Sequence, residues 1–173
     1  MKTLLLSLVA ALALAPGLRA DDVTVKITDV HLCCDSCVKG VNKAVEHVDG
    51  VKVECDKPGR VVTLTAPDAA TAQKAADALV KAGYYGKCSD ANIKMNAETG
   101  AKGAQVQKLS VEGVHLCCPK CVKAFNAAMK DVPGVTGNNA VKNAKVVVIT
   151  GDFKDSDVMD ALQKAGLTGK IVD

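Results

Sequence analysis

The chain has 173 residues, 49% of them hydrophobic, with 22 Lys and Arg against 19 Asp and Glu, and its only aromatic residues are Tyr84, Tyr85, Phe125 and Phe153. A balance this close to neutral, without a basic run and with so few rings for bases to stack on, gives nucleic acid no footprint. The cores must be built from Val, Leu, Ile and Ala, and small aliphatic cores are marginal on their own.

Residues 1–20 carry Lys2, an apolar run from Leu4 to Leu14, and then Pro16-Gly17-Leu18-Arg19-Ala20. This is the pattern of a cleavable signal peptide, with the cut expected after Ala20 and a secreted or periplasmic location expected for the product. The run falls short of the roughly 20 apolar residues that a membrane helix needs, so no transmembrane segment is expected after signal removal. The first cysteine, Cys33, lies too far along to carry a lipid at the new N-terminus.

Beyond the signal, Val23, Val25 and Ile27 alternate with Thr24, Lys26 and Thr28, the period of a strand with one buried face. Val38, Val41, Val45 and Val48 then fall at helical spacing, and the helix stops at Gly50. Val51 to Cys55 and Arg60 to Thr65 flank the turn Asp56-Lys57-Pro58-Gly59 and read as a hairpin. A second helix is expected over 68–81 and a last strand over 85–89. The stretch from Ser89 to Gly103 lacks apolar periodicity and reads as a linker.

The same order then recurs. Leu109 and Val111 mark a strand, Val122, Phe125, Met129 and Val132 a helix that stops at Gly134, and Val146 to Thr150 another strand. Residues 136–143 are rich in Gly and Asn and hide their pattern; a helix over 155–164 and a strand over 168–172 close the chain. Residues 30–51 match residues 114–135 at a constant offset of 84, with 13 of 22 positions identical, so the domain is duplicated. The expected organisation is a signal peptide at 1–20, one domain at 21–90, a linker at 91–103 and a second domain at 104–173.

Strand, helix, strand, strand, helix, strand is the split βαβ order. It predicts an α+β fold of two tandem ferredoxin-like (βαββαβ) sandwich domains, each with an antiparallel sheet in the order 4-1-3-2. In that topology the loop after strand 1 lies beside the loop before strand 4, so the cysteine cluster is expected near Gly83-Tyr84 or Gly166-Leu167.

The chemistry sits in His31-Leu32-Cys33-Cys34-Asp35-Ser36-Cys37 and its copy His115-Leu116-Cys117-Cys118-Pro119-Lys120-Cys121. Each holds a C-x-x-C where strand 1 meets helix 1. Free amides and the positive end of the helix dipole favour thiolate there, so Cys34, Cys37, Cys118 and Cys121 are expected to be acidic, exposed metal ligands. Soft thiolates suit Cu(I) first and Zn(II) or another soft metal second. Two sulfurs on a short loop leave the ion open to an incoming thiol, so the expected partner is a metal donor or acceptor protein that works by transient thiol exchange.

Both units closely resemble the heavy-metal-associated domain family of copper chaperones and metal-pump N-terminal domains, whose motif is Gly-Met-x-Cys-x-x-Cys. Gly50-Val51, Gly134-Val135 and Ala82-Gly83-Tyr84 add to the likeness. The resemblance implies that Cys34, Cys37, Cys118 and Cys121 hold the metal, and that Leu32 and Leu116 replace the methionine packed beneath the loop. The chain departs from the family in having His31 and His115 where glycine stands and in adding Cys33 and Cys117. A third thiol permits three-coordinate metal, and His with three Cys would suit tetrahedral zinc. Tyr84 has Leu167 as its counterpart, so the two sites are expected to differ.

Three other readings compete. Eight cysteines in an exported chain are compatible with a disulfide framework, although each motif has an odd number of thiols. Cys55 and Cys88 fall on strands 2 and 4, about 14 Å apart across the sheet by strand spacing and beyond disulfide reach. A thiol–disulfide redox protein also uses a C-x-x-C at a helix start, but no aromatic precedes this one and no suitable proline follows. A docking module that merely inherited the motif is the third. His31 and His115 also read as polar residues finishing strand 1. No catalytic triad, phosphate loop or paired carboxylates appear, so no enzyme is expected.

Overall fold

A computed structural model describes residues 22–172. The signal peptide and its cut site after Ala20 lie outside the described residues. The first half runs β1 (Val23–Thr28), α1 (Asp35–Val45), β2 (Lys52–Asp56), β3 (Val61–Ala66), α2 (Ala69–Lys81) and β4 (Lys87–Cys88). The second runs β5 (Gln105–Glu112), α3 (Pro119–Lys130), β6 (Val135–Asn138), β7 (Val146–Lys154), α4 (Asp155–Lys164) and β8 (Lys170–Val172). Each half is a four-stranded antiparallel sheet, in the orders β2-β3-β1-β4 and β6-β7-β5-β8, which is 4-1-3-2 read from the other edge. The fold is ferredoxin-like α+β, twice.

The alternation seen in the sequence sets the register. Val25 faces Leu64 and Ile27 faces Val62 across β1 and β3, while Leu109 faces Ile149 and Val111 faces Val147 across β5 and β7. All eight are buried. Against these faces α1 lays Cys37, Val41 and Val45, one every fourth residue, and α3 lays Cys121, Phe125, Ala128 and Met129. Asp68 caps α2 by accepting the Thr71 N–H at 2.7 Å.

Strands β4 and β8 are shorter than the sequence predicts, because the residues just before them serve a different pairing. Tyr84 and Leu167 form an antiparallel bridge to each other, joining the two halves. Around that bridge the Tyr85 N–H donates to the Gly166 carbonyl at 3.2 Å and the Thr168 N–H donates to the Gly83 carbonyl at 3.0 Å. The reciprocity defines an approximate twofold axis between Tyr84 and Leu167. Both glycines are required there: φ is +84° at Gly83 and +79° at Gly166, and a Cβ would come within 2.3 Å of the Gly113 or Asp29 carbonyl of the opposite half.

The segment between the sheets is packed on both halves. Ile93 and Met95 are buried in it, and the Gln73 amide exchanges two hydrogen bonds with the Lys94 backbone at 2.8 and 2.9 Å. Further on, the buried Asp155 carboxylate accepts the Lys102 and Ala104 N–H groups at 3.0 and 2.9 Å. Two apolar side chains are too few to show a period, which is why the sequence reads as a bare linker. Strand β6 has only four residues and a register shift against β7, which accounts for its weak pattern. Among the described residues no helix is long and apolar enough to cross a membrane.

Candidate metal centre

Cys34 and Cys118 occupy the N-cap positions of α1 and α3 in extended backbone. The Cys34 carbonyl accepts the Cys37 and Val38 N–H groups at 3.0 and 3.4 Å, and the Cys118 carbonyl accepts those of Cys121 and Val122 at 3.0 and 3.3 Å. This first turn fixes the C-x-x-C spacing in space. Leu32 and Leu116, just before the cysteines, are buried. Arg60, in left-handed backbone at φ 56°, braces the first loop by donating from Nη2 to the Asp29 carbonyl at 2.8 Å and from Nε to that of Val30 at 3.4 Å. In the second half Asn143, also left-handed, donates its N–H to the Leu116 carbonyl at 2.7 Å.

The twofold contact places the two loops face to face, and the two expected sites become one cluster. Cys33 Sγ lies 3.4 Å from Cys118 Sγ and 3.5 Å from Cys121 Sγ, Cys37 lies 3.6 Å from Cys117 and 3.8 Å from Cys121, and Cys34 lies 3.7 Å from Cys118. Within the loops, Cys33 and Cys37 are 3.6 Å apart, Cys34 and Cys37 3.8 Å, Cys117 and Cys121 3.7 Å, and Cys118 and Cys121 3.6 Å. All are free thiols. Groups with ligand atoms mutually within 4.8 Å are Cys33-Cys34-Cys118, Cys34-Cys37-Cys117, Cys117-Cys118-Cys121 and His31-Cys33-Cys121. Most of these groups draw on both halves.

The expectation of uniformly exposed, acidic C-x-x-C thiols does not hold. Cys37 and Cys121 are fully buried, the others partly. Hydrogen bonds from Cys121, opposed by burial and aided by His115, drive Cys37 far below the usual thiol range. Burial works against ionisation of Cys118, but the Cys121 N–H and neighbouring thiols outweigh it and lower Cys118 to about 7. Their neighbours go the other way. The bond to Cys37, then burial, push Cys121 up, while burial and the Cys37 sulfur raise Cys117 to about 12. Burial and the bond to Cys118 raise Cys33 as well. Six thiols at van der Waals distance cannot all ionise without a cation among them.

The histidines flank the cluster and are not equivalent. His115 Nε2 is 3.0 Å from Tyr84 Oη, with the rings 4.4 Å apart, and the same hydroxyl donates to the Cys37 carbonyl at 2.8 Å. Burial, reinforced by the thiols of Cys37 and Cys117, holds the Tyr84 hydroxyl above its usual range, so it stays a donor. His31 has no such partner: its Nε2 is buried without a hydrogen bond. Burial keeps the His31 ring below its ordinary pKa, with Cys37 opposing, so the ring is neutral at neutral pH.

Cys55 and Cys88 lie on β2 and β4 at opposite edges of the first sheet, in one row with Val62 and Ile27. Lys87, on β4 beside Cys88, pairs with Asp29 at 3.2 Å. The sequence reading missed the role of Gly40, in the middle of α1. A Cβ there would fall 2.3 Å from Tyr84 Oη and 2.9 Å from His115 Cε1, so its absence makes room for both.

No protein-family model matches the chain. Among solved structures it is similar to the N-terminal soluble domains of Bacillus subtilis CopA, at 15% identity over 88% of this chain and 95% of that one, with a TM-score of 0.34. It is also similar to the first two RRM domains of the yeast poly(U) binding protein Pub1, at 13% identity over 86% and 97% of the two chains, with a TM-score of 0.24. Likenesses this weak carry no argument about function. The clustered cysteines themselves fit metal binding.

Proposed function

We propose that this protein is an exported relative of the heavy-metal-associated domains that holds Cu(I) in one thiolate site shared between its two halves, for capture, buffering or transfer. The observation that carries the reading is the approach of Cys33, Cys34 and Cys37 to Cys117, Cys118 and Cys121, at 3.4–3.8 Å between neighbouring sulfurs. Three-coordinate or tetrahedral ions about 2.3 Å from each sulfur hold the sulfurs roughly 3.8–4.0 Å apart, so the cage needs little adjustment to take metal.

Six clustered thiolates repel one another, and soft cations shared among them relieve that repulsion. A single tetrahedral zinc uses four ligands and leaves two thiols stranded. If each sulfur bridges two ions and each ion takes three sulfurs, six thiolates hold about four Cu(I) ions, and this low-coordinate preference favours copper. Cys34 and Cys118, at the helix starts and partly exposed, are the positions where a partner's thiol would meet the metal.

The test is an anaerobic titration of the reduced protein with Cu(I) and with Zn(II) against competing chelators. Tight, concerted uptake of several Cu(I) ions per chain is expected. A preference for a single Zn(II) would replace copper in this reading, and weak binding of both metals would leave thiol–disulfide chemistry as the better account of the motifs.

A further inference from the structure

The six sulfurs are arranged almost symmetrically, but their surroundings are not. At one end Tyr84 Oη sits 3.0 Å from His115 Nε2 and donates its own proton to the Cys37 carbonyl, which leaves its oxygen free to accept from His115. Gly40 makes space for this pair. At the other end Leu167 stands where Tyr84 would, and Ala124, 84 positions after Gly40, stands where that glycine would. Leu167 offers no polar group, so His31 Nε2 is buried without a partner. Yet His31 places a ring nitrogen within 4.8 Å of both Cys33 and Cys121 sulfurs, one from each half.

A buried ring nitrogen with nothing to bond is costly unless a ligand takes it. An imidazole nitrogen within reach of two cysteine sulfurs, whose protons a bound cation displaces, is a suitable corner for a soft ion. The same corner borders an open groove lined by His31, Cys33, Arg60, Ala124, Ala128 and Lys164.

The geometry points to His31, and not His115, as a metal ligand of the shared site, acting with Cys33 and Cys121 in a mixed nitrogen–sulfur corner that opens to the groove. This assignment rests on the thiolate reading above and adds the donor that distinguishes one ion from the rest. His115 is a positioning residue, held by Tyr84 against Cys37. The duplicated motif therefore supplies two different histidines: one fixes a sulfur, the other binds metal.

The test uses the reduced protein with nitrogen-15-labelled histidine, titrated anaerobically with Cu(I), while ring-nitrogen correlation spectra and bound copper are followed together. His47, exposed on the first half, is the internal control. The expected result is a large shift of a His31 ring nitrogen, with His115 and His47 essentially unmoved. In His31→Gln copper is still taken up by the thiols, but the corner ion is lost or becomes easier to remove with a chelator. Shifts at His115 alone, or equally at both motif histidines, overturn the assignment. Copper uptake with no histidine shift overturns it too while leaving the thiolate cluster intact, whereas absence of uptake removes the cluster reading and the ligand with it.

Discussion

Cys33 Sγ and Cys118 Sγ stand 3.4 Å apart although the two residues belong to different halves of the chain. Controlled oxidation of the metal-free protein with a diazene dicarboxamide therefore should join the halves. Two thiols lose two hydrogens to the reagent and form one S–S bond, and mass mapping is expected to find peptides around Cys33 or Cys37 linked to peptides around Cys117 or Cys118. Copper bound beforehand should suppress these links. Links confined to one motif would argue that the halves do not meet in solution.

Gly166→Ala attacks the same contact from the backbone. The substitution forces a side chain onto φ +79° and places its Cβ 2.3 Å from the Asp29 carbonyl oxygen and 2.5 Å from the backbone nitrogen of His31. The left-handed backbone alone costs about 1–3 kcal/mol, and the clash adds to it. A lower urea midpoint together with a loss of concerted copper uptake is expected. Uptake identical to the parent protein would detach the glycine contact from metal binding.

Tyr84→Phe removes the hydroxyl that serves both the Cys37 carbonyl and His115 while keeping the ring. The two lost hydrogen bonds are worth about 1–2 kcal/mol together, since the freed His115 nitrogen lies in a partly buried place. Denaturant unfolding of the reduced, metal-free protein measures this. A change below a few tenths of a kcal/mol would mean that the hydroxyl is satisfied elsewhere.

The thiols also set the response to pH. A thiol with an ordinary value of 9.0 that is lowered to about 7 on folding, as Cys118 is, adds stability as pH rises from 7 to 9, because the unfolded chain then binds the extra proton. Cys37, lowered further, acts in the same sense below 9. Cys117, raised to about 12, does the reverse: between 9 and 12 the folded state keeps the proton, and stability falls. Cys33 and Cys121 are raised as well and act with it. The reduced, metal-free protein is expected to be most stable near pH 9, seen as a maximum in thermal midpoint. A monotonic profile across that range would contradict the assigned directions.

Much of this was legible in the sequence. Val23, Val25 and Ile27 announced β1, the offset of 84 announced the duplication, and element order alone placed Cys55 and Cys88 on opposite edges of one sheet. The six motif cysteines were legible as thiols gathered at two helix starts, but their meeting was not. Periodicity reports which face of an element is buried within its own sheet, and says nothing of how two complete sheets dock. Local signals did exist. Gly83 and Gly166 each sit against the opposite loop's backbone, and the exchange of Tyr84 for Leu167 marks the axis, but a glycine before a last strand reads equally well as a helix stop. The mixed ionisation of the thiols followed from the same docking, since each thiolate raises its neighbours only once they are adjacent.

The central claim, one site shared by both halves, is tested most directly by replacing Cys117, Cys118 and Cys121 together with Ser and titrating the reduced variant anaerobically with Cu(I). A shared site predicts that the intact first motif, Cys33, Cys34 and Cys37, loses the concerted multi-copper uptake and binds far more weakly than in the parent. Retention of half the copper at unchanged affinity would show two independent sites and contradict the account.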